Sequence, residues 1–189
     1  MAYASWSVVF GEQPSAAKWN ILGTNDASFN DGTGIGVSAI TPEKLLTGTG
    51  TAWGWTSYTP TWTATSVNPT LGTSTLTGYY KQVGKTVFVN VQLTMASGFA
   101  VGTGTYRFAL PVAANTTNIA IGTFFHASGY LLDSSASEAG IVTAGKLISS
   151  TTIEPNGGKA SAFGALNNAF PYAWNNGDII AFGAVYEAA

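Results

Sequence analysis

Of the chain's 189 residues only 8% are charged, against 46% hydrophobic and 13% aromatic, with a formal net charge of −2 and no cysteine. That composition excludes a disordered protein, a disulfide framework and a thiolate metal site. It also leaves no electrostatic footing for nucleic acid.

Polarity must then come from Thr, Ser, Asn and Gly, which solvate a surface without charge repulsion. Such a composition suits extracellular β-proteins and particle components that pack against copies of themselves. The seven Lys and Arg are scattered singly, so there is no basic patch for phosphate or anionic lipid. No run of 18 apolar residues predicts a membrane-spanning helix. The opening MAYASWSVVFGEQ lacks the basic and apolar regions of a signal peptide, so synthesis in a cytoplasm is expected. A chain of this length buries roughly 70% of its extended surface, enough for a core without staples.

Residues 1–51 read differently from the rest. Tyr3–Phe10 has the pattern of a short strand. GEQPSAAKWNILG is the strongest helix signal: Pro14 suits a first turn, Ala16, Ala17 and Lys18 are good formers, and Gly23 suits a stop. A helix of two to three turns is too short to be stable alone and must dock. Thr24–Gly36 is turn-rich. Thr41–Leu46 reads as one more helical turn, and Thr47–Thr51 as a hinge.

From Trp53 onward the pattern is all β. Thr61–Ser66, Thr73–Lys81, Thr86–Met95, Thr105–Leu110, Asn118–Ala127, Gly140–Thr143, Lys146–Thr151, Ser161–Phe163 and Asp178–Glu187 are the expected strands. Gly, Pro and Asn punctuate them at Asn68-Pro69, Gly102–Gly104, Leu110-Pro111 and Glu154–Gly158. The clearest is Thr86–Met95, where Val87, Val89, Val91, Leu93 and Met95 alternate strictly with polar residues and Phe88. Gln82–Lys85 connects it to the strand before, with Gly84 free to take positive φ. This spacing predicts an all-β, jelly-roll-like antiparallel sandwich over residues 52–189, with a closed barrel as the alternative. The stretches Asp178–Glu187 and Asn118–Phe125 are apolar in both alternating sets. A sandwich buries one face of each sheet, so the second must meet a loop, another sheet or, as favoured here, another subunit.

The residues carry little chemistry. His126 is the sole histidine, which rules out a Ser–His–Asp triad or multi-histidine metal site within one chain. A ring of His126 about a trimer axis is weighed against an ordinary surface or packed residue, and the ordinary reading prevails. Asn25–Gly32 is acid-rich like a calcium loop, but Asp31 and Val37 stand where glycine and glutamate are needed, so turn capping is the better account. Gly32–Gly36 lacks the context of a phosphate loop. The carboxylates Glu12, Asp26, Asp31, Glu43, Asp133, Glu138, Glu154, Asp178 and Glu187 are dispersed. Only Asp133 and Glu138 stand close across a loop tip, as a glycosidase pair would. No catalytic, cofactor-binding or metal-binding residue is therefore assigned, and no enzyme is expected. Trp53, Trp55, Tyr58 and Trp62, with Phe170, Tyr172 and Trp174, suit either a sealed core edge or sugar stacking, and packing is the expectation.

Three stretches resemble virion proteins of tailed bacteriophages, of the tail-fibre, minor-tail or head-fibre kind. FGEQPSAAKWNILGTNDASFNDGTGI looks like their short N-terminal attachment segment. GYYKQVGKTVFVNVQLTM resembles their recurrent hairpin, and PYAWNNGDIIAFGAVYEAA is similar to their closing strand pair. The resemblance implies a homotrimeric spike or fibre on the virion surface, docked by residues 1–51 on capsid, collar or tail, and able to contact a host glycan. The lack of a repetitive shaft favours a compact knob. Loops Ala96–Gly104 and Asp133–Gly140, at the far end, are expected to be free to meet a cell surface. The competing readings are a decoration or cementing protein without a receptor, and a carbohydrate-binding module.

Overall fold

A computed structural model describes residues 15–17, 20, 54–159 and 162–189. Of the predicted N-terminal helix, Ala16, Ala17 and Asn20 have helical backbone. The strand Tyr3–Phe10, the acid-rich loop, the glycine run, the turn at Thr41–Leu46 and the hinge lie outside the described residues.

Trp55–Ala189 is a compact unit of ten strands. They are β1 (Thr56–Tyr58), β2 (Trp62–Ala64), β3 (Thr75–Val83), β4 (Thr86–Thr94), β5 (Tyr106–Ala109), β6 (Phe124–Asp133), β7 (Glu138–Ser149), β8 (Thr152–Lys159), β9 (Ala162–Ala165) and β10 (Ile179–Glu187). The all-β antiparallel expectation holds. Every pairing is antiparallel, along one path β1-β3-β4-β10-β6-β7-β8-β5-β2, with β9 beside β8.

One continuous sheet supplies both layers. β5 stands four places from β10 along the path, about 19 Å away if the sheet were flat. Yet the rings of Phe108 on β5 and Phe182 on β10 meet edge-on at 5.3 Å, so the sheet curls over a shared core. The two ends of the path, β1 and β2, are joined by Thr59–Thr61 alone. The Tyr58 hydroxyl reaches the Ala109 carbonyl at 3.3 Å, and the Ala109 N–H donates to Thr61 O at 3.1 Å. Twist and curl thus bury the apolar face of the sheet and bring its free edges together.

The predicted hairpin is present, with each strand nine residues long and only Gly84-Lys85 between them. Gly84 has φ +60°, the positive value that a two-residue Gly-X turn needs. Burial along β4 alternates as the sequence pattern requires. Its inner residues join those of β10, Ile180, Phe182, Ala184 and Tyr186, in one core.

Other boundaries moved. Asn118–Thr123 is turn, and the strand expected there starts at Phe124 and runs to Asp133. The two alternating sets of Asn118–Phe125 are therefore not two faces of a strand. The expected strand Gly140–Thr143 and residues 146–149 of the next belong to one long β7, bent by irregular register, and Ser150 and Thr151 form the turn to β8. The Glu154–Gly158 stretch, read as a turn, lies within β8, which is buried from Ile153 to Gly158. Pro155 is tolerated because β5 pairs with Thr152 and Ile153 while β9 starts opposite Asn156. The missing N–H falls in that gap. A Cβ on Gly157 would lie 2.0 Å from Ile141 O, so close backbone approach requires glycine there.

At one end of the unit, Asp178 is fully buried. Its carboxylate accepts from Ser134 N–H (2.9 Å), the Ser134 hydroxyl (3.2 Å) and Asn175 N–H (2.6 Å). The β6–β7 turn is thereby tied to the turn before β10. The loop Ala96–Gly104 is tied to the segment after β2: Val67 and Thr103 exchange backbone hydrogen bonds, as do Thr70 and Ala100.

Phe108→Ala removes the contact on which the two layers close and is expected to cost about 3–5 kcal/mol, read as a lower urea midpoint. Asp178→Ala leaves three donors without their acceptor and is expected to cost about 2–4 kcal/mol. Asp178→Asn, which keeps one acceptor oxygen, should cost less in the same assay.

Candidate binding surface

The described carboxylates are engaged in turns and ion pairs. Asp133 and Glu138 face each other at the base of the β6–β7 turn. The Asp133 carboxylate accepts from the Ser135 hydroxyl at 2.7 Å and Ala136 N–H at 3.0 Å. Those two bonds, helped by the charge of Lys159, hold its pKa below the ordinary carboxylate value. Glu138 pairs instead with Lys159, whose ammonium also sits 4.7 Å from the centre of the Tyr172 ring. Glu154 is buried and faces Arg107 at 3.7 Å. Glu187 accepts from the amides of Asn118 (2.8 Å) and Asn115 (3.2 Å), which lower its pKa and hold the segment before β6. Glu12, Asp26, Asp31 and Glu43 lie outside the described residues. The described residues contain no group of three or more potential metal ligands and no helix long and apolar enough to cross a membrane.

Three of the seven weighed aromatics seal the core. Trp62, Tyr172 and Trp174 are buried, and their rings form a chain through Tyr106. Trp62 meets Tyr106 at 5.1 Å, Tyr106 meets Trp174 at 6.5 Å, and Trp174 meets Tyr172 at 5.6 Å. The Trp174 indole N–H donates to Asn167 O at 2.7 Å, which anchors this segment within its own loop. Burial pushes the phenol of Tyr106 well above its ordinary pKa. Tyr58 is half-buried and stacks edge-on with Tyr80. Trp55 is different, being half exposed, while Trp53 is outside the described residues.

The exposed aromatics lie on the outer face of the sheet. Register places Tyr79 of β3, Asn90 of β4, Gly183 of β10 and Ser128 of β6 in one row across it. Thr77, Gln92, Ala181 and Tyr130 form the next. Because Ala181 and Gly183 are small, the centre of the face is low, and a depression of about 460 Å³ lies over them. Tyr79 and Tyr130, 48% and 46% exposed, stand on opposite sides of this floor. Gly183 has a positional role: a Cβ there would lie 2.6 Å from Asn90 Oδ1, so its absence lets the Asn90 amide lie over the strand.

The depression continues both ways. Past Asn90, Ser128 and Gly183 it opens into a hollow of about 240 Å³, where Trp55, Phe88 and His126 add their rings. Beyond Tyr130 a hollow of about 280 Å³ is lined by Ile141 and Gly158. His126, the one histidine, is an exposed residue of this face. The outer residues of β10 had been expected to lie beneath a neighbour; Ile179, Ala181, Gly183 and Val185 are half-buried, and the depression lies over Ala181 and Gly183. Sequence patterning pointed to that apolar second face, but not to Tyr79 and Tyr130 as its walls. They are far apart in the chain, and only the strand order brings them to one furrow.

The Asp133 carboxylate has a folded pKa below the unfolded value of about 3.9, so its contribution is complete above that pH. It is lost as pH falls through the folded pKa. In acid urea titrations the unsubstituted chain should therefore lose stability more steeply than Asp133→Asn, and a parallel pair of curves would remove this role.

No protein-family model, curated protein or solved structure matches the chain.

Proposed function

We propose that this is a non-enzymatic structural protein of a tailed-bacteriophage particle. In this reading it is a homotrimeric spike or short fibre, attached through residues 1–51 to capsid, collar or tail and displaying the β domain on the virion surface. The observation that carries the reading is the outer face of the sheet, which bears large apolar side chains and few charges. Ile141 and Phe163 are 58% and 61% exposed, and register sets them on either side of Gly158. Apolar surface of this kind marks a contact with another molecule, and a closed ring of identical subunits repeats the same contact in every copy.

The polarity of the domain suits an attached knob. The chain enters at Trp55, beside Thr56, which pairs with Tyr80 near the Gly84 turn. The tied loops around residues 66–73, 96–104, 133–138 and 175–178 gather at the opposite end, where β4 and β6 finish and β10 begins. The commitment of the described carboxylates to turns and ion pairs fits a protein that works by assembly rather than by catalysis. A decoration protein without a receptor would share this architecture, and loss of adsorption when the gene is deleted from a viable particle separates the two.

Light scattering of the full chain is expected to give the mass of a trimer. Ile141→Asp combined with Phe163→Asp should shift it to monomer while the far-ultraviolet spectrum stays that of a β protein. A monomeric unsubstituted chain would remove the trimer from this reading.

A further inference from the structure

We infer that the furrow between Tyr79 and Tyr130 binds a neutral oligosaccharide, laid across the outer face of β3, β4, β10 and β6. The inference deepens the proposed function and rests on it for its biological setting, since it gives a surface contact both a place and a chemistry.

Several observations converge on that ligand class. The floor is flat and small, made by Ala181 and Gly183, and aromatic side chains rise on both sides. A sugar ring offers axial C–H groups to aromatic faces and hydroxyls around its rim, so it needs aromatic walls together with amides and hydroxyls. The furrow supplies them. The Asn90 amide, the Ser128 hydroxyl and the phenols of Tyr79 and Tyr130 line it, and none is hydrogen-bonded to another described residue. No side chain that lines the central depression is charged, and His126 is the only basic or acidic residue of the adjoining hollows. A phosphorylated or carboxylated ligand would find no counter-charge.

Shape argues the same way. Three strand spacings separate β3 from β6, about 14 Å, and the central depression shares Asn90, Ser128 and Gly183 with the hollow beside Trp55. The site is therefore a furrow for several linked rings rather than a closed pocket. An extended peptide is a poorer fit. Strand addition needs an unpaired edge, whereas β4, β10 and β6 are each paired on both sides.

Gly183 provides a mild and specific test. The atom that an added methyl would meet first is the amide oxygen of Asn90, the free end of an exposed side chain. Gly183→Ala should therefore displace the ligand-facing amide and leave the sheet intact.

The experiment uses the full chain on an array of immobilised neutral oligosaccharides built from glucose, galactose, mannose and N-acetylglucosamine, with sialylated and sulfated counterparts. Calorimetry follows for any hit. Binding of a neutral glycan is expected, weakened about tenfold or more in Tyr79→Ala and in Tyr130→Ala. It should be measurably weakened in Gly183→Ala, with unchanged thermal unfolding in all three. No binding to any neutral glycan overturns the proposal, as does a preference for the anionic ones or binding that the three substitutions leave untouched. A change of solution mass in Tyr130→Ala without any glycan bound also overturns it, because a second copy would then cover the face. Light scattering of the same samples separates this inference from the trimer. A monomer that binds glycan keeps the furrow and loses the trimer, and a trimer that binds none does the reverse.

Discussion

The contact between Phe108 and Phe182 is the constraint on which the architecture depends. A single antiparallel sheet has two faces, and without a second layer it must leave both in water. This chain makes the second layer from the same sheet. β10 pairs with β4 along nine residues and with β6 along six, which places it near the middle of one wall. Its inner side chains then meet those of β5, brought over from the far end of the path. Gly129 lets β6 lie close against β10, because a Cβ there would lie 2.6 Å from the Phe182 Cα and 2.1 Å from Ala181 O. The register shift in β6 between His126 and Gly129 occurs at the same place, and such irregularities increase local twist.

Low charge shapes the rest. With so few ion pairs available, the chain holds its ends by hydrogen bonds to carboxylates rather than by salt bridges. Asp178 pins two turns together, Asp133 caps its own turn, and Glu187 grips two asparagines. Tyr186 does similar work from the core: it donates to Val112 O at 2.8 Å, and burial pushes its phenol up to about 12. Charged hydrogen bonds inside a protein are stronger than neutral ones. A few of them therefore suffice to position loops that have little apolar surface of their own.

The outer face follows from how β10 is built. Its inner set is Ile180, Phe182, Ala184 and Tyr186, while its outer set is Ile179, Ala181, Gly183 and Val185. The small central pair leaves a trough that larger residues of β3 and β6 border. The face is neither a solvated polar sheet surface nor a buried one. It combines the aromatic walls of Tyr79 and Tyr130 with the Asn90 amide and the Ser128 hydroxyl. Ile141 and Phe163 lie farther along the same face and are exposed.

Local pattern carried much of this in advance. Period-two alternation fixed β4 and its hairpin, since a strand with one buried face can be read residue by residue. The all-β class and the packing role of Trp62, Tyr172 and Trp174 followed from strand spacing and aromatic crowding. What resisted reading was whatever depends on neighbours. β8 looks like a turn because Pro155, Asn156, Gly157 and Gly158 are turn formers in isolation. Only the gap between β5 and β9, and the close approach of β7, make them a buried strand. The turn at Asn118–Thr123 was the converse, apolar residues whose alternation has no ladder behind it. The furrow belongs wholly to tertiary structure. Sequence alone determined that β10 has a second apolar face. Strand order decided that Tyr79 and Tyr130 stand across it, because pairing between distant strands is set by burial of the whole sheet and not by any local stretch.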